Sequence, residues 1–105
     1  MMKGTEKQIA WAEDIINNAR QCIDNNIAYI NTLTDNNPLK HDLPIWERLQ
    51  VRFAEAVAHP KMQDASFVIS NRNNKIFHPQ DIIGMVTTMT HNGIALEDAI
   101  KRTIG

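Results

Sequence analysis

Apolar residues recur along the first third of the chain with a helical period. Ile9, Ile16, Ile23 and Ile30 stand seven apart, Ala12, Ala19, Asn26 and Leu33 follow each of them by three, and Ile15, Cys22 and Tyr29 precede the last three by one. Three of every seven positions are therefore apolar on one side, which is the stripe of a core-facing helix and not the alternation of a strand. Thr5 followed three residues later by Gln8 forms a capping box, in which the hydroxyl takes an orphan backbone N–H and the amide reaches back. Glu6 puts negative charge in the first turn, where the helix dipole favours it. The run Thr34-Asp35-Asn36-Asn37-Pro38 stops the helix, because proline cannot continue it and disfavours helical backbone in the residue before. A helix over residues 5–33 would span roughly 40 Å, against a radius of gyration of roughly 13 Å for a compact domain of this length. It is therefore expected to be the spine on which the rest packs. Within the stripe, Asn26 is expected to make a kink or a wet edge, or else to fix an oligomer register. Trp11 sits at the stripe's border, as a half-buried lid or a contact for a partner.

The later segments repeat the pattern in shorter units. Trp46, Leu49, Phe53 and Val57, widened by Ile45 and Ala56, predict a second helix over residues 44–58, with Pro44 in its first turn and Asp42 as its cap. His59-Pro60 ends it. Residues 60–72 are ambiguous. Ser66 to Ser70 has strand-like composition, but Met62, Ala65 and Ile69 keep helical spacing, and helix is preferred because no second strand is available to pair. Asn71 to Lys75 reads as a turn. Pro79 opens a further helix carrying Ile82, Ile83, Val86 and Met89, which Asn92-Gly93 closes as a left-handed cap. Leu96, Ala99 and Ile100 make a last short helix. The fold class is all-α: one domain, residues 1–105, a compact bundle of four to five helices built across the long N-terminal one.

Composition agrees. At 105 residues and 43% apolar the chain can bury a core without metal or disulfide. No run of eighteen apolar residues predicts a membrane span, and Met1 to Thr5 has no apolar segment of a signal peptide. Cys22, the sole cysteine, is expected as a small buried hydrophobe in a reducing cytosol, so the expected location is cytoplasmic. Eleven basic and twelve acidic residues, net charge −1, are mixed along the chain, which argues against a general polyanion binder. Asparagine pairs at 36–37 and 73–74 read as turns; those at 17–18 and 25–26 are expected to face water.

No catalytic motif is visible. The four glycines are isolated, no Gly-x-Ser-x-Gly occurs, and no two histidines share a helix face. His41, His59, His78 and His91 all lie near predicted helix ends. A zinc site would need His or carboxylates gathered from scattered loops, and Glu13 and Asp14 point in different directions from one helix. The expectation is no enzyme, no metal and no cofactor. Arg48 and Arg52, one turn apart with Glu55 beyond, read as a solvated flank with a weak Arg52–Glu55 pair, or as a partner contact. Residues 82–102 can be drawn as a helix-turn-helix with Lys101 and Arg102 as nucleic-acid contacts. Its second helix begins with Glu97 and Asp98, the wrong sign for DNA, so a helical hairpin is preferred.

The segment Gly4-Thr5-Glu6-Lys7-Gln8-Ile9-Ala10-Trp11-Ala12-Glu13-Asp14-Ile15 resembles an N-terminal signature of small bacterial, phage and mobile-element proteins. Members of that group often carry a second motif, Ala-Lys-Trp-Trp-Ile-Asp-Asn-Arg. Ala65-Ser66-Phe67-Val68-Ile69-Ser70-Asn71-Arg72 looks like a degraded version of it, with Phe67 and Val68 in place of the tryptophans. Ile16 replaces the arginine that often follows the first signature. The resemblance implies a mobile-element accessory protein and brings no catalytic residue with it. The expected function is inhibition of a host defence system, for example as an anti-CRISPR protein that occludes a Cas effector or its guide complex, with Trp11, Arg48, Arg52 and Arg72 as partner contacts. The alternatives are a small DNA-binding regulator using residues 82–102, and a homo-oligomer (a homodimer in the simplest case) using the Ile/Ala stripe as its seam.

Overall fold

The structure, a computed structural model, describes residues 2–91 and 95–104. It is an all-α bundle. The helices are α1 (Glu6–Asn31), α2 (Leu43–Val57), α3 (Ala65–Ser70), α4 (Pro79–His91) and α5 (Ala95–Ile104), joined by single 3-10 turns at Pro38–Asp42, Pro60–Gln63 and Lys75–Phe77. No extended strand occurs among the described residues.

α1 is the spine. Its 26 residues give a rod of about 39 Å, which sets the 49 Å long axis of a molecule only 26 by 19 Å across. Both halves of the expected capping box are formed: the Gln8 N–H donates to the Thr5 hydroxyl at 3.2 Å, and the Thr5 N–H donates to the Gln8 side chain at 3.0 Å. The other end closes earlier than proline requires. The Thr32 hydroxyl donates to the Tyr29 carbonyl at 2.6 Å and the Thr32 N–H turns to Ile30 and Tyr29, so the helix stops at Asn31. A local side-chain bond has competed with the next helical turn.

Ala12, Ile16, Ala19, Ile23 and Ile30 are buried. The chain's own later elements cover this stripe. α2 lies on the flank of Arg20 and Asp24, where the Gln50 side chain donates to the Asp24 carboxylate at 2.8 Å. α3 and α4 lie on the flank of Trp11 and Cys22, half a turn away since Trp11 and Arg20 are nine residues apart. The core is shared out: Ile23, Leu49, Met62, Val68, Ile76 and Ile82 are the largest fully buried side chains, one from each of α1, α2, the 60–63 turn, α3, the 75–77 turn and α4. Phe77 meets Phe53 edge to face, with ring centroids 6.5 Å apart.

Several expectations are refined. α2 starts at Leu43, and Asp42 occupies its cap position without a side-chain hydrogen bond. Residues 60–72 are helical but broken: Asp64 is extended, ends one 3-10 turn and caps α3 by accepting the Ser66 N–H at 2.9 Å. Ile83 is 49% exposed and not part of the core. Cys22 is half-buried. Asn26 is partly buried and donates to the Cys22 carbonyl one turn back at 2.7 Å, so it is satisfied within its own helix. The proposed cap Asn92-Gly93 and the side chains of Met89, Leu96, Glu97 and Asp98 lie outside what the structure describes.

α5 docks through Ala99, Ile100 and the buried Thr103. The Thr103 hydroxyl donates to the Ala99 carbonyl at 2.8 Å and accepts from Asn74 at 3.2 Å. Asn74 also donates to Asn71, and Asn71 donates to the Phe67 carbonyl. This chain of bonds fixes the loop that follows α3 to the last helix.

Candidate interaction surface

The N-terminal strap and the start of α3 are stitched together. The Lys3 N–H donates to the Gln63 carbonyl at 2.6 Å and the Ala65 N–H donates to the Lys3 carbonyl at 2.8 Å, making one isolated parallel bridge between Lys3 and Asp64. Gly4 then turns the chain into α1 with φ of 142°, a backbone region that favours glycine. A Cβ on Gly4 would also stand 2.9 Å from the Ala65 Cβ. Two small residues are therefore required where the segments cross.

From that crossing α1 and α3 advance side by side. Seven residues after Gly4 comes Trp11; seven after Ala65 comes Arg72. The two meet: the Arg72 guanidinium carbon lies 5.3 Å from the centroid of the Trp11 ring, within cation–π range. Arg72 is steadied from behind, because its guanidinium donates to the Ile69 carbonyl at 2.7 Å. Trp11 stays 49% exposed. An indole half open to solvent with a planar cation laid on its ring is a rigid, amphipathic contact at small entropic cost.

Next to the crossing lies a groove of about 340 Å³ lined by Lys3, Pro60, Lys61, Gln63, Asp64 and Phe67. The Lys3 backbone is held at both its N–H and its carbonyl, and the Gln63 side chain donates to the Val57 carbonyl at 3.1 Å, so Lys3 and Gln63 are both tied to neighbouring main chain.

Of the four expected contacts, the structure brings together Trp11 and Arg72 only. Arg48 and Arg52 lie on α2, which packs on the opposite flank of α1. Arg52 pairs with Glu55 at 2.8 Å, as its spacing predicts. Lys101 and Arg102 are exposed in the last turn of α5. His59 accepts the Lys61 N–H and starts a 3-10 turn, and His78 stands 3.6 Å from Asp81; both serve local turns. Among the described residues no three His, Cys, Asp or Glu are grouped so as to hold a metal ion, and no helix is long and apolar enough to cross a membrane. Burial raises the Cys22 thiol pKa, opposed by a hydrogen bond from Asn26.

The Lys3, Lys61 and Phe67 groove was not visible in the sequence. Its lysines come from segments 58 residues apart, and the only hint was the pairing of Gly4 with a small residue, which has no periodic trace. Compared with known proteins, the chain matches no family model, no curated protein and no solved structure at a significant level.

Proposed function

We propose that this protein acts by binding and not by catalysis: it occludes a protein of a host defence system, such as a Cas effector, through the surface centred on Trp11 and Arg72. The observation that carries this reading is the convergence of two separate stretches. The N-terminal signature and the later Ala65-to-Arg72 segment, each singled out by the same resemblance, meet at the Gly4–Ala65 crossing and again at the Trp11–Arg72 stack. Packing explains Gly4 and Ala65. It does not require an indole half open to solvent with an arginine laid on it. Trp and Arg are the residue types that dominate binding energy at protein interfaces.

The Ile/Ala stripe lends no support to a self-association seam, since α2, α3 and α4 cover it within one chain. The test is restriction of an incoming plasmid or phage in cells that carry defined defence systems and express the protein. Restriction is expected to fail for one system, and to be restored when Trp11→Ala and Arg72→Ala are combined. Unimpaired restriction by every system tested would overturn the reading. The effector identified in this way is then captured with the tagged protein after nuclease treatment, where retention is expected.

A further inference from the structure

Two segments that the fold brings together carry an excess of positive charge. Residues 2–8 and 60–72, which the Lys3–Asp64 bridge brings together, carry Lys3, Lys7, Lys61 and Arg72 against Glu6 and Asp64. The remainder carries seven Lys or Arg against ten Asp or Glu. The two bridged segments thus carry a net charge of +2, and the rest of the sequence −3. Of the two carboxylates there, Glu6 sits in the first turn of α1, where the helix dipole favours its charge, and Asp64 caps α3 through one oxygen while lining the groove, which leaves Lys3, Lys61 and Asp64 with a net charge of +1.

The groove lies next to their crossing. Lys3 and Lys61 stand in its walls, and neither ammonium has a carboxylate partner among the described residues. Pro60 and Phe67 give it an apolar lining. We infer that this groove takes a short acidic segment of the partner protein, with one apolar side chain against Phe67 and Pro60 and flanking carboxylates on Lys3 and Lys61. This deepens the binding reading above and rests on it. An acidic peptide is favoured over a nucleic acid by extent: a phosphate backbone needs a track of cations, whereas the groove offers two, Lys3 and Lys61, over a short span. The fixed Lys3 main chain holds the groove's shape before binding, which lowers the ordering cost on the protein side.

The test uses the purified full chain and fluorescence anisotropy. One probe is a fluorescein-labelled heptapeptide pool with a central Phe, Leu or Met flanked by Asp and Glu. The others are a pool of the same charge with Ser at the centre and a labelled single-stranded oligonucleotide of equal charge. The apolar acidic pool is expected to bind, the Ser pool to bind at least five-fold more weakly, and Lys61→Glu to cut binding at least ten-fold with an unchanged circular dichroism spectrum. Lys40→Glu, in the Pro38–Asp42 turn outside the groove, is expected to leave peptide binding unaltered. No binding of the apolar pool, equal binding of the Ser pool, or tighter binding of the oligonucleotide would each overturn the proposal. The in-cell assay separates this from the broader reading. Inhibition retained by Lys61→Glu but lost with Trp11→Ala removes the groove and keeps the occlusion, whereas peptide binding with no inhibition in cells keeps the groove and removes the occlusion.

Discussion

Arg72, held by the Ile69 carbonyl, lays its guanidinium over the indole of Trp11. An exposed cation–π pair contributes about 0.5–1 kcal/mol, so Arg72→Ala should lower unfolding free energy by no more than that. Arg72→Lys should lose most of the same amount, since an ammonium lacks the planar stacking surface. A buried anchor at an interface is worth about 2 kcal/mol or more, about thirty-fold in Kd. Urea titration and affinity for the proposed partner, measured on the same variants, should therefore diverge: a small change in stability and a much larger change in binding. Equal changes in both would mean that the stack serves folding only.

Gly4 offers a cleaner structural test. Gly4→Ala forces a residue with a Cβ into φ of 142° and drives that Cβ to 2.9 Å from Ala65. Such backbone strain costs about 1–3 kcal/mol. The double variant Gly4→Ala with Ala65→Gly relieves the collision but not the backbone strain, while adding about 1 kcal/mol for glycine in a helix. The double variant should thus stay well below the parent in urea midpoint. Full recovery would show that the collision alone mattered.

These two contacts also mark the limit of what the residue pattern reveals. α1 was legible because its determinants are local: the Thr5/Gln8 box and the seven-residue repeat of isoleucines; its end was misplaced by two residues, because Thr32 caps it ahead of the Asn/Pro run. The same holds for the face of α2. The break at Asp64 was not, since Met62, Ala65 and Ile69 keep their spacing across it, and the interruption is caused by a cap and by Lys3 arriving from the other end of the chain. Ile76 and Phe77 are buried, but a two-residue apolar island among polar neighbours has no period to detect. Trp11 and Arg72 each stood out singly. Their pairing depends on α3 running alongside α1 in the same direction, which no spacing within either segment encodes.

Cys22 gives the molecule a pH-dependent contribution in the alkaline range. Burial raises its pKa above that of an ordinary thiol in the folded state, because the thiolate is disfavoured there. The unfolded chain then loses its proton first, so the contribution is intact below the unfolded pKa and declines as pH rises through the folded one. Thermal stability should be flat with respect to this group up to about pH 8.5 and should fall above it. Cys22→Ser should remove that part of the fall. The thiol should also react with iodoacetamide more slowly than free cysteine at pH 8, because the thiolate is the nucleophile. Faster reaction would contradict the raised pKa.

The asparagine–threonine chain should behave differently from a surface hydrogen bond. Thr103 is buried and joins Asn74 to the α5 backbone. Thr103→Val keeps the volume but removes the acceptor for Asn74, with an expected cost of about 1–3 kcal/mol for a polar group left short of a partner. Asn74 is bonded to Asn71, and Arg72 lies between them in the same turn. Loosening this turn should therefore reach the Trp11 contact. Hydrogen exchange of the amides of residues 71–74 should speed up in Thr103→Val. Unaltered protection there would mean that α5 docks independently of the loop.

Ile23 decides how the isoleucine stripe is used. Its side chain is 1% exposed and covered within one chain. Ile23→Ala should cost about 2–5 kcal/mol, the removed transfer energy plus the cavity left behind. That is a large share of the roughly 5–15 kcal/mol total expected for a domain. Because the contacts are intramolecular, the loss should be the same at every protein concentration. A seam between chains would instead give an unfolding midpoint that rises with concentration by mass action. Urea titrations of the parent and of Ile23→Ala across a hundred-fold range of concentration should superimpose within each protein. A systematic shift of the parent's midpoint would return the stripe to an intermolecular role.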